Sequence, residues 1–113
     1  MRRQRILGAL QFYFYPQPAT GRFEDWLKSL DRGRPNYAGL APDPAARLQA
    51  QWPALQKSLK DWGKLKGLRF VRQDDGGANV FLVTYDRRHV VWTAAGPNAD
   101  GLFTALTYDA RAG

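Results

Sequence analysis

The apolar positions between residues 43 and 62 recur at steps of four and three along the chain. This period places them on one face of an amphipathic helix. The positions concerned are Leu48, Trp52, Leu55, Leu59 and Trp62. The pair Asp43-Pro44 predicts the start of this helix, with the Asp43 carboxylate as its N-cap, and Gly63 predicts its end. Pro53 lies inside the pattern and predicts a kink or a division into two helices.

Four segments with the shorter period of β-strands follow this helix. The predicted strands are residues 67–73, 78–86, 89–95 and 102–109. Turn signals rich in Asp, Gly, Asn and Pro separate them, and the links are short enough for neighbouring strands to pair. In the second strand both alternating sets of positions are largely apolar, so we expect this strand at the centre of the sheet.

A shorter amphipathic helix is predicted upstream, over residues 21–32. Its apolar stripe consists of Phe23, Trp26, Leu27 and Leu30. Thr20 precedes the stripe as a candidate N-cap, and Gly33 follows it as a C-terminal stop. The whole pattern predicts an α+β fold, in which two or three N-terminal helices pack on a curved four-stranded antiparallel meander.

Residues 1–20 allow more than one interpretation. Four consecutive aromatic residues at positions 12–15 favour a strand, whereas Ile6, Leu10 and Tyr13 share one face of a helix. A basic start before a short apolar stretch is also similar to a degenerate signal peptide. We therefore interpret residues 1–20 as an N-terminal arm, a strand or a degenerate leader, and residues 21–113 as one domain.

The composition limits the classes of protein to which the chain belongs. At 113 residues, of which 44% are hydrophobic, the chain is long enough for one modest core. It contains no cysteine, which excludes disulfide scaffolds, thiolate metal sites and cysteine nucleophiles. No apolar stretch is long enough to span a bilayer. The compartment stays open, with the cytoplasm favoured slightly over the periplasm.

The net charge of +7 favours anionic partners, and an acidic protein is one candidate. Lysines cluster around the end of the longer helix and form a candidate basic patch. Its members are Lys57, Lys60, Lys64 and Lys66. The alternative is an ordinary lysine-rich helix end, which the helix dipole favours. Because the other charges are dispersed, nucleic acid is kept as an alternative partner and is not favoured.

The sequence contains no set of residues with catalytic or metal-binding spacing. The single histidine, His89, lies beside Arg87 and Arg88 at a predicted turn, where we expect it to be solvated. The acidic residues fall in predicted turns, at a helix start or at strand ends, so we expect none of them to be a buried base. Gly76-Gly77 is interpreted as a turn and not as a phosphate-binding loop. No catalytic residue, metal or cofactor is predicted.

Aromatic residues make up 13% of the chain, more than one helix–sheet interface needs. We expect Phe70 and Phe81 to fill the core. Tyr and Trp combine an apolar ring with a polar group, which suits the wall of a ligand pocket. The candidates for such a pocket are Tyr37, Tyr85, Trp92 and Tyr108.

Several segments carry a resemblance to a known family. They are residues 33–37 (GRPNY), 48–56 (LQAQWPALQ), 62–70 (WGKLKGLRF) and 78–85 (ANVFLVTY), followed by Val91-Trp92 and Asp100-Gly101. These segments are similar to a small bacterial domain family of uncharacterised function, which is also found attached to serine β-lactamase-like hydrolases. The resemblance implies a cystatin-like or NTF2-like α+β fold and a homodimer, and it supplies no catalytic residues.

Functions from three classes fit these observations. The leading interpretation is a non-catalytic ligand- or protein-binding accessory domain, with an apolar small molecule or an acidic protein as its partner. One alternative is a small pocket enzyme of the ketosteroid-isomerase or polyketide-cyclase type, in which a Tyr donates to an oxyanion and an Asp abstracts a proton. The other is a basic inhibitor-like or immunity-like protein that docks on an acidic surface.

Overall fold

A computed structural model describes residues 16–110 of the chain, with side chains from residue 20 to residue 110. Two helices precede a four-stranded sheet. The elements are α1 (Pro16–Asp31), α2 (Pro42–Trp62), β1 (Leu65–Gln73), β2 (Asn79–Tyr85), β3 (His89–Ala95) and β4 (Ala105–Asp109), with a 3₁₀ turn at Tyr37–Gly39 between the helices. The strands pair in the order β1-β2-β3-β4, each antiparallel to its neighbour. The predicted α+β fold, with helices preceding a four-stranded antiparallel meander, is confirmed.

Helix α1 begins at Pro16, upstream of the predicted start. The prediction of Thr20 as an N-cap was wrong, because Thr20 lies inside the helix. The end of the predicted arm therefore belongs to α1, and the interpretations of residues 1–15 lie outside the described residues.

Helix α2 is continuous from Pro42 to Trp62, so Pro53 does not divide it. Pro53 is exposed, and the tertiary packing of the apolar face holds the helix together despite the lost backbone hydrogen bond. The N-cap position is Ala41, and Pro42 starts the helix, so the prediction of Asp43 as N-cap was wrong. Asp43 lies in the first turn instead, where the helix dipole favours a carboxylate.

One face of the sheet packs against both helices and forms the core. The central strand β2 contributes Phe81, and β3 contributes Val90 and Trp92, all at most 2% exposed. Phe23 of α1 stacks on Phe81 with the ring centroids 4.6 Å apart. The predicted apolar stripes of both helices belong to this core, although Trp52 is only half-buried.

Strand β4 begins at Ala105, later than predicted from the pattern. Phe103 pairs instead with Leu40 in an isolated parallel bridge. The Phe103 N–H donates to the Gly39 carbonyl at 3.0 Å, and the Ala41 N–H donates to the Phe103 carbonyl at 2.9 Å. These bonds hold the segment before β4 against the loop before α2, so the regular pairing with β3 starts only afterwards.

The C-terminal end of α2 is attached to the turn between β2 and β3. Arg87 of this turn donates from Nε to the Asp61 carbonyl at 2.8 Å and from Nη2 to the Lys60 carbonyl at 2.7 Å. Its positive charge lies at the negative end of the helix dipole. Gly63 follows the helix with a φ of +87°, and a Cβ built on it would lie 2.5 Å from the Asp86 Cβ. The junction therefore requires a glycine at this position.

Asp86 completes the junction between α2, β1 and the β2–β3 turn. Its Oδ2 accepts the backbone N–H of Lys64 at 2.9 Å, and its Oδ1 lies 3.1 Å from Lys66 Nζ. The Lys64 N–H, and then the Lys66 ammonium, lower the pKa of the Asp86 carboxyl below its ordinary value. The charged form of Asp86 is thus the form that this junction favours.

We expect Gly63→Ala to lower the free energy of unfolding by about 2 kcal/mol, because the added Cβ is strained at positive φ and overlaps Asp86. Urea denaturation followed by tryptophan fluorescence measures the change. Gly21→Ala is the control, since Gly21 lies inside α1 and a Cβ there meets no atom within 4 Å. We expect this control to raise the free energy of unfolding by about 0.5–1 kcal/mol. Similar effects of the two substitutions would contradict the proposed strain at Gly63.

The lowered pKa makes Asp86 stabilising above the pKa that this carboxyl has in the unfolded chain. That stabilisation is lost as the pH falls through the folded-state pKa, because protonation removes the charge that Lys64 and Lys66 favour. We expect Asp86→Asn to melt at a lower temperature than the parent chain at neutral pH, and the difference to shrink in strongly acidic buffer. Melting temperatures recorded across this pH range provide the test. A difference that does not change with pH would show that the charge of Asp86 plays no part.

Candidate functional site: a cleft between α2 and β4

A cleft of about 600 Å³ separates residues 43–55 of α2 from β4. The facing positions include short side chains, among them Ala54 on α2 and Ala105 on β4. The Ala41 hydrogen bond holds the start of α2, and Arg87 holds its end. Between these two attachments a gap separates the helix from the strand.

Aromatic rings form the floor of the cleft. Trp26 of α1 and Trp92 of β3 meet edge to face, with their centroids 5.9 Å apart. Tyr108 of β4 lies 5.0 Å from Trp92 and is 40% exposed. Leu48 and Leu55 of α2 add aliphatic surface. The floor is therefore apolar, and it is held in place by the core beneath it.

Polar side chains of α2 form the rim of the cleft. Asp43, Arg47 and Gln51 recur at the spacing of one helical turn, and all three are exposed. Within residues 20–110, no hydrogen bond or ion pair holds the Arg47 guanidinium. The cleft therefore combines an apolar floor with a cation at the rim that has no partner in the described part of the chain.

The indole N–H of Trp92 is buried and has no hydrogen-bond acceptor among the described residues. Its neighbour is the Tyr85 phenol. Burial raises the pKa of Tyr85 far above its ordinary value, and the Trp92 side chain offsets this rise only in part. The two groups are thus close together without reaching hydrogen-bond geometry. A buried donor without an acceptor costs about 1–3 kcal/mol.

Two of the four predicted pocket residues, Trp92 and Tyr108, line the cleft. Tyr85 does not line it, because its ring is 4% exposed and packs against Trp62 with the centroids 5.2 Å apart. Tyr37 lies in the 3₁₀ turn and packs, partly buried, against the core. The structure therefore brings half of the predicted set together and places the other half in the core or beside it.

Sequence reasoning missed Trp26, Leu48 and Leu55 as residues of the cleft. All three lie on predicted apolar stripes. Such a stripe indicates which residues are buried, but it does not show which of them line a cleft. Arg47 was missed because it is one of many dispersed basic residues. No signal in the sequence distinguishes these four residues from their neighbours.

The predicted basic patch is interrupted by acidic groups. Lys66 pairs with Asp86, and Lys60 and Lys64 border a shallow depression that the same carboxylate also lines. Lys57 is exposed on α2 and does not line this depression. The four lysines therefore form no uniform positive surface.

A second depression, on the side of α1, is more basic. Arg22, Arg32 and Arg34 border it together with Asp25. Arg22 Nη1 donates to the Gly101 carbonyl at 3.4 Å, which is a long hydrogen bond. The depression runs along one side of α1, from Arg22 to Ser29, and continues to Arg32 and Arg34 after the end of the helix.

Residues 16–110 contain no arrangement typical of catalysis or metal binding. His89 is exposed at the start of β3, with its Nδ1 3.1 Å from the Thr84 hydroxyl. Ser29 and Asn79 are the buried polar residues among those whose side chains are described, residues 20–110. In the same range, no group of three His, Asp or Glu side chains is placed to hold a metal ion. None of the described helices is long and apolar enough to cross a membrane.

No protein-family model, curated protein or solved structure matches this chain. The functional argument therefore rests on the α2–β4 cleft itself, with its aromatic floor and its polar rim.

Proposed function

We propose that this chain is a non-catalytic binding domain whose ligand occupies the cleft between α2 and β4. The observation that carries this proposal is an open cleft of about 600 Å³ that has an aromatic floor and a polar rim. Ligand sites commonly have this size, with apolar walls for burial and a few polar groups that orient the ligand. An apolar small molecule or an acidic protein segment would suit these surfaces.

A pocket enzyme of the ketosteroid-isomerase or polyketide-cyclase type has less support. Such an enzyme needs a carboxylate base and an oxyanion donor in one dry cavity. Within the described residues, Asp43 is the carboxylate that lines the cleft, and it is exposed in the first turn of α2. A general base of this type is a carboxyl buried in a dry cavity, and an exposed residue does not provide that environment. Tyr108 is a candidate donor without a buried base beside it.

We propose in addition that the fold is cystatin-like or NTF2-like. The helix-on-meander topology supports it, together with the similarity of residues 33–37 and 62–70 to the bacterial family. An accessory domain in a bacterial homodimer agrees with a chain that has a cleft and no base inside it.

A basic partner-binding role is a second candidate, favoured by the depression that Arg22, Arg32 and Arg34 border. Docking of an acidic protein there would weaken steeply with added salt, because exposed charges are screened within about 10 Å at 0.1 M ionic strength. Binding of an apolar group in the α2–β4 cleft would depend on salt much less. The salt dependence of binding therefore separates the two roles.

We expect the hydrophobic dye anilinonaphthalene sulfonate to bind the folded chain with a rise in dye fluorescence. Ala54→Trp places a large ring in the cleft and should weaken dye binding by about tenfold, or roughly 1.4 kcal/mol. Ala46→Trp is the matched control, because Ala46 is exposed on the same helix and does not line the cleft. Fluorescence titrations give the dissociation constants.

Thermal unfolding of both variants must remain cooperative, because the dye also binds loosely packed states. An unchanged dissociation constant for Ala54→Trp, or an equal loss of affinity in both variants, would show that the dye does not use the cleft. Either result would contradict the proposed site.

A further inference from the structure

We infer that the depression along α1 binds an extended peptide with acidic side chains at both ends and a basic side chain between them. This inference rests on the second candidate role, the docking of an acidic partner at this depression, and it names the chemistry of that partner. The depression has a volume of about 550 Å³ and shares only Trp26 with the α2–β4 cleft, so it is a separate site.

The charged groups of the depression change sign along α1. Arg22 comes first, Asp25 lies about one helical turn further on, and Arg32 and Arg34 follow after the end of the helix. Three guanidinium groups and one carboxylate give the depression a net positive charge. An anionic partner is therefore favoured, but the middle of that partner meets a carboxylate.

The arginines at both ends of the depression keep N–H donors for a ligand. Within residues 20–110, no hydrogen bond or ion pair holds the guanidinium of Arg32 or of Arg34. Arg22 makes one long hydrogen bond to the Gly101 carbonyl, and a guanidinium carries five N–H donors. Arg32 also borders a neighbouring depression that Asp31 lines, whereas Arg34 does not line that neighbour. Arg34 is therefore the clearest residue to test.

Hydrogen bonds hold the loop that carries Arg34. The Arg34 N–H donates to the Ser29 carbonyl at 3.0 Å, and the Asn36 N–H donates to the Ser29 hydroxyl oxygen at 3.0 Å. The Trp26 indole N–H donates to the Asn36 carbonyl at 3.2 Å. Both side chains of α1 that make these bonds are buried. The backbone at this end of the depression is thus in place before a ligand arrives, which lowers the entropic cost of binding.

A tight turn holds the opposite end of the depression. Asn98 Oδ1 accepts the backbone N–H groups of Asp100 and Leu102 at 2.9 and 3.0 Å. Gly101 in this turn has a φ of +80°, and a Cβ built on it would lie 2.8 Å from Arg22 Nη1. Glycine therefore leaves the space in which the Arg22 guanidinium lies beside the turn.

The spacing of the charges suits an extended peptide. A helix rises about 1.5 Å per residue, so Arg22 and Arg32 lie roughly 15 Å apart along the axis of α1, with Asp25 between them. Alternate side chains of a strand face the same side about 6.6 Å apart, so the first, third and fifth span about 13 Å. Acidic side chains at the first and fifth positions would meet the arginines, and a basic one at the third would meet Asp25.

Nucleic acid suits the depression less well than such a peptide does. Unpaired bases bind chiefly by stacking on exposed aromatic rings. The aromatic residues that line the depression, Trp26 and Phe103, are each only 3% exposed. A run of phosphates would in addition place a negative charge opposite Asp25, which repels it.

The test uses the full chain and two peptides of equal composition and equal net charge. In acetyl-Glu-Ser-Lys-Ser-Glu-amide the acids flank the lysine, and the order of side chains is the same in both directions. In acetyl-Lys-Ser-Glu-Ser-Glu-amide the lysine lies opposite an arginine and a glutamate lies opposite Asp25. We expect the first peptide to bind about tenfold more tightly, because two charge pairs change from attraction to repulsion in the second. NMR titration of the isotope-labelled chain locates the site and gives both dissociation constants.

Two variants and one further ligand complete the test. Arg34→Gln removes one end charge and should weaken binding of the first peptide about threefold. Arg69→Gln is the matched control, because Arg69 is exposed on β1, does not line the depression and carries the same charge. Its affinity should equal that of the parent chain. The dinucleotide thymidylyl-thymidine has the same net charge as either peptide and should bind more weakly than the first peptide.

A preference for the first peptide that Arg34→Gln reduces and Arg69→Gln leaves unchanged supports the inference. Equal binding of the two peptides overturns it, and the basic partner-binding role then stands only if Arg34→Gln alone weakens both. An equal loss of affinity in both variants, or tighter binding of the dinucleotide, also overturns the inference. If neither peptide binds, the inference and the basic partner-binding role both fail. Dye binding in the α2–β4 cleft tests the leading proposal separately.

Discussion

The fold depends on the packing of Phe23, a fully buried ring of α1, against rings from three other parts of the chain. Its centroid lies 4.6 Å from Phe81 of β2, 6.0 Å from Trp92 of β3 and 5.9 Å from Phe103 before β4. Aromatic pairs of this kind contribute about 0.5–1.5 kcal/mol each beyond the burial of their apolar area. One side chain thus joins the first helix to the middle of the sheet and to the segment that leads into β4.

The cleft follows from this aromatic cluster and from the two attached ends of α2. Phe23 contacts both Trp26 and Trp92, so the floor of the cleft is part of the core and cannot easily rearrange. α2 is tied to Phe103 at its start and to Arg87 at its end. Between these attachments the helix and β4 line the two sides of the cleft, with short side chains at Ala54 and Ala105.

The residues that line the cleft suit the recognition of a ligand. The strongly perturbed phenol of the described chain, Tyr85, is buried against Trp62 and does not line the cleft. The cleft itself offers aromatic surface and an exposed Arg47. Such groups bind and orient a ligand, whereas proton abstraction would require a carboxylate whose pKa is raised by burial.

The spacing of apolar residues in the sequence determined the architecture, because a helical or strand spacing shows which side of each element is buried. Local signals were right at one element end and wrong at others: Gly63 follows α2 as predicted, whereas Thr20 lies inside α1, Pro42 starts α2 before Asp43, and the bridge from Leu40 to Phe103 delayed β4. Of the predicted pocket residues, Trp92 and Tyr108 line the cleft. Only the tertiary structure decided which apolar positions line the cleft between α2 and β4, since periodicity reports burial and not the neighbour that provides it.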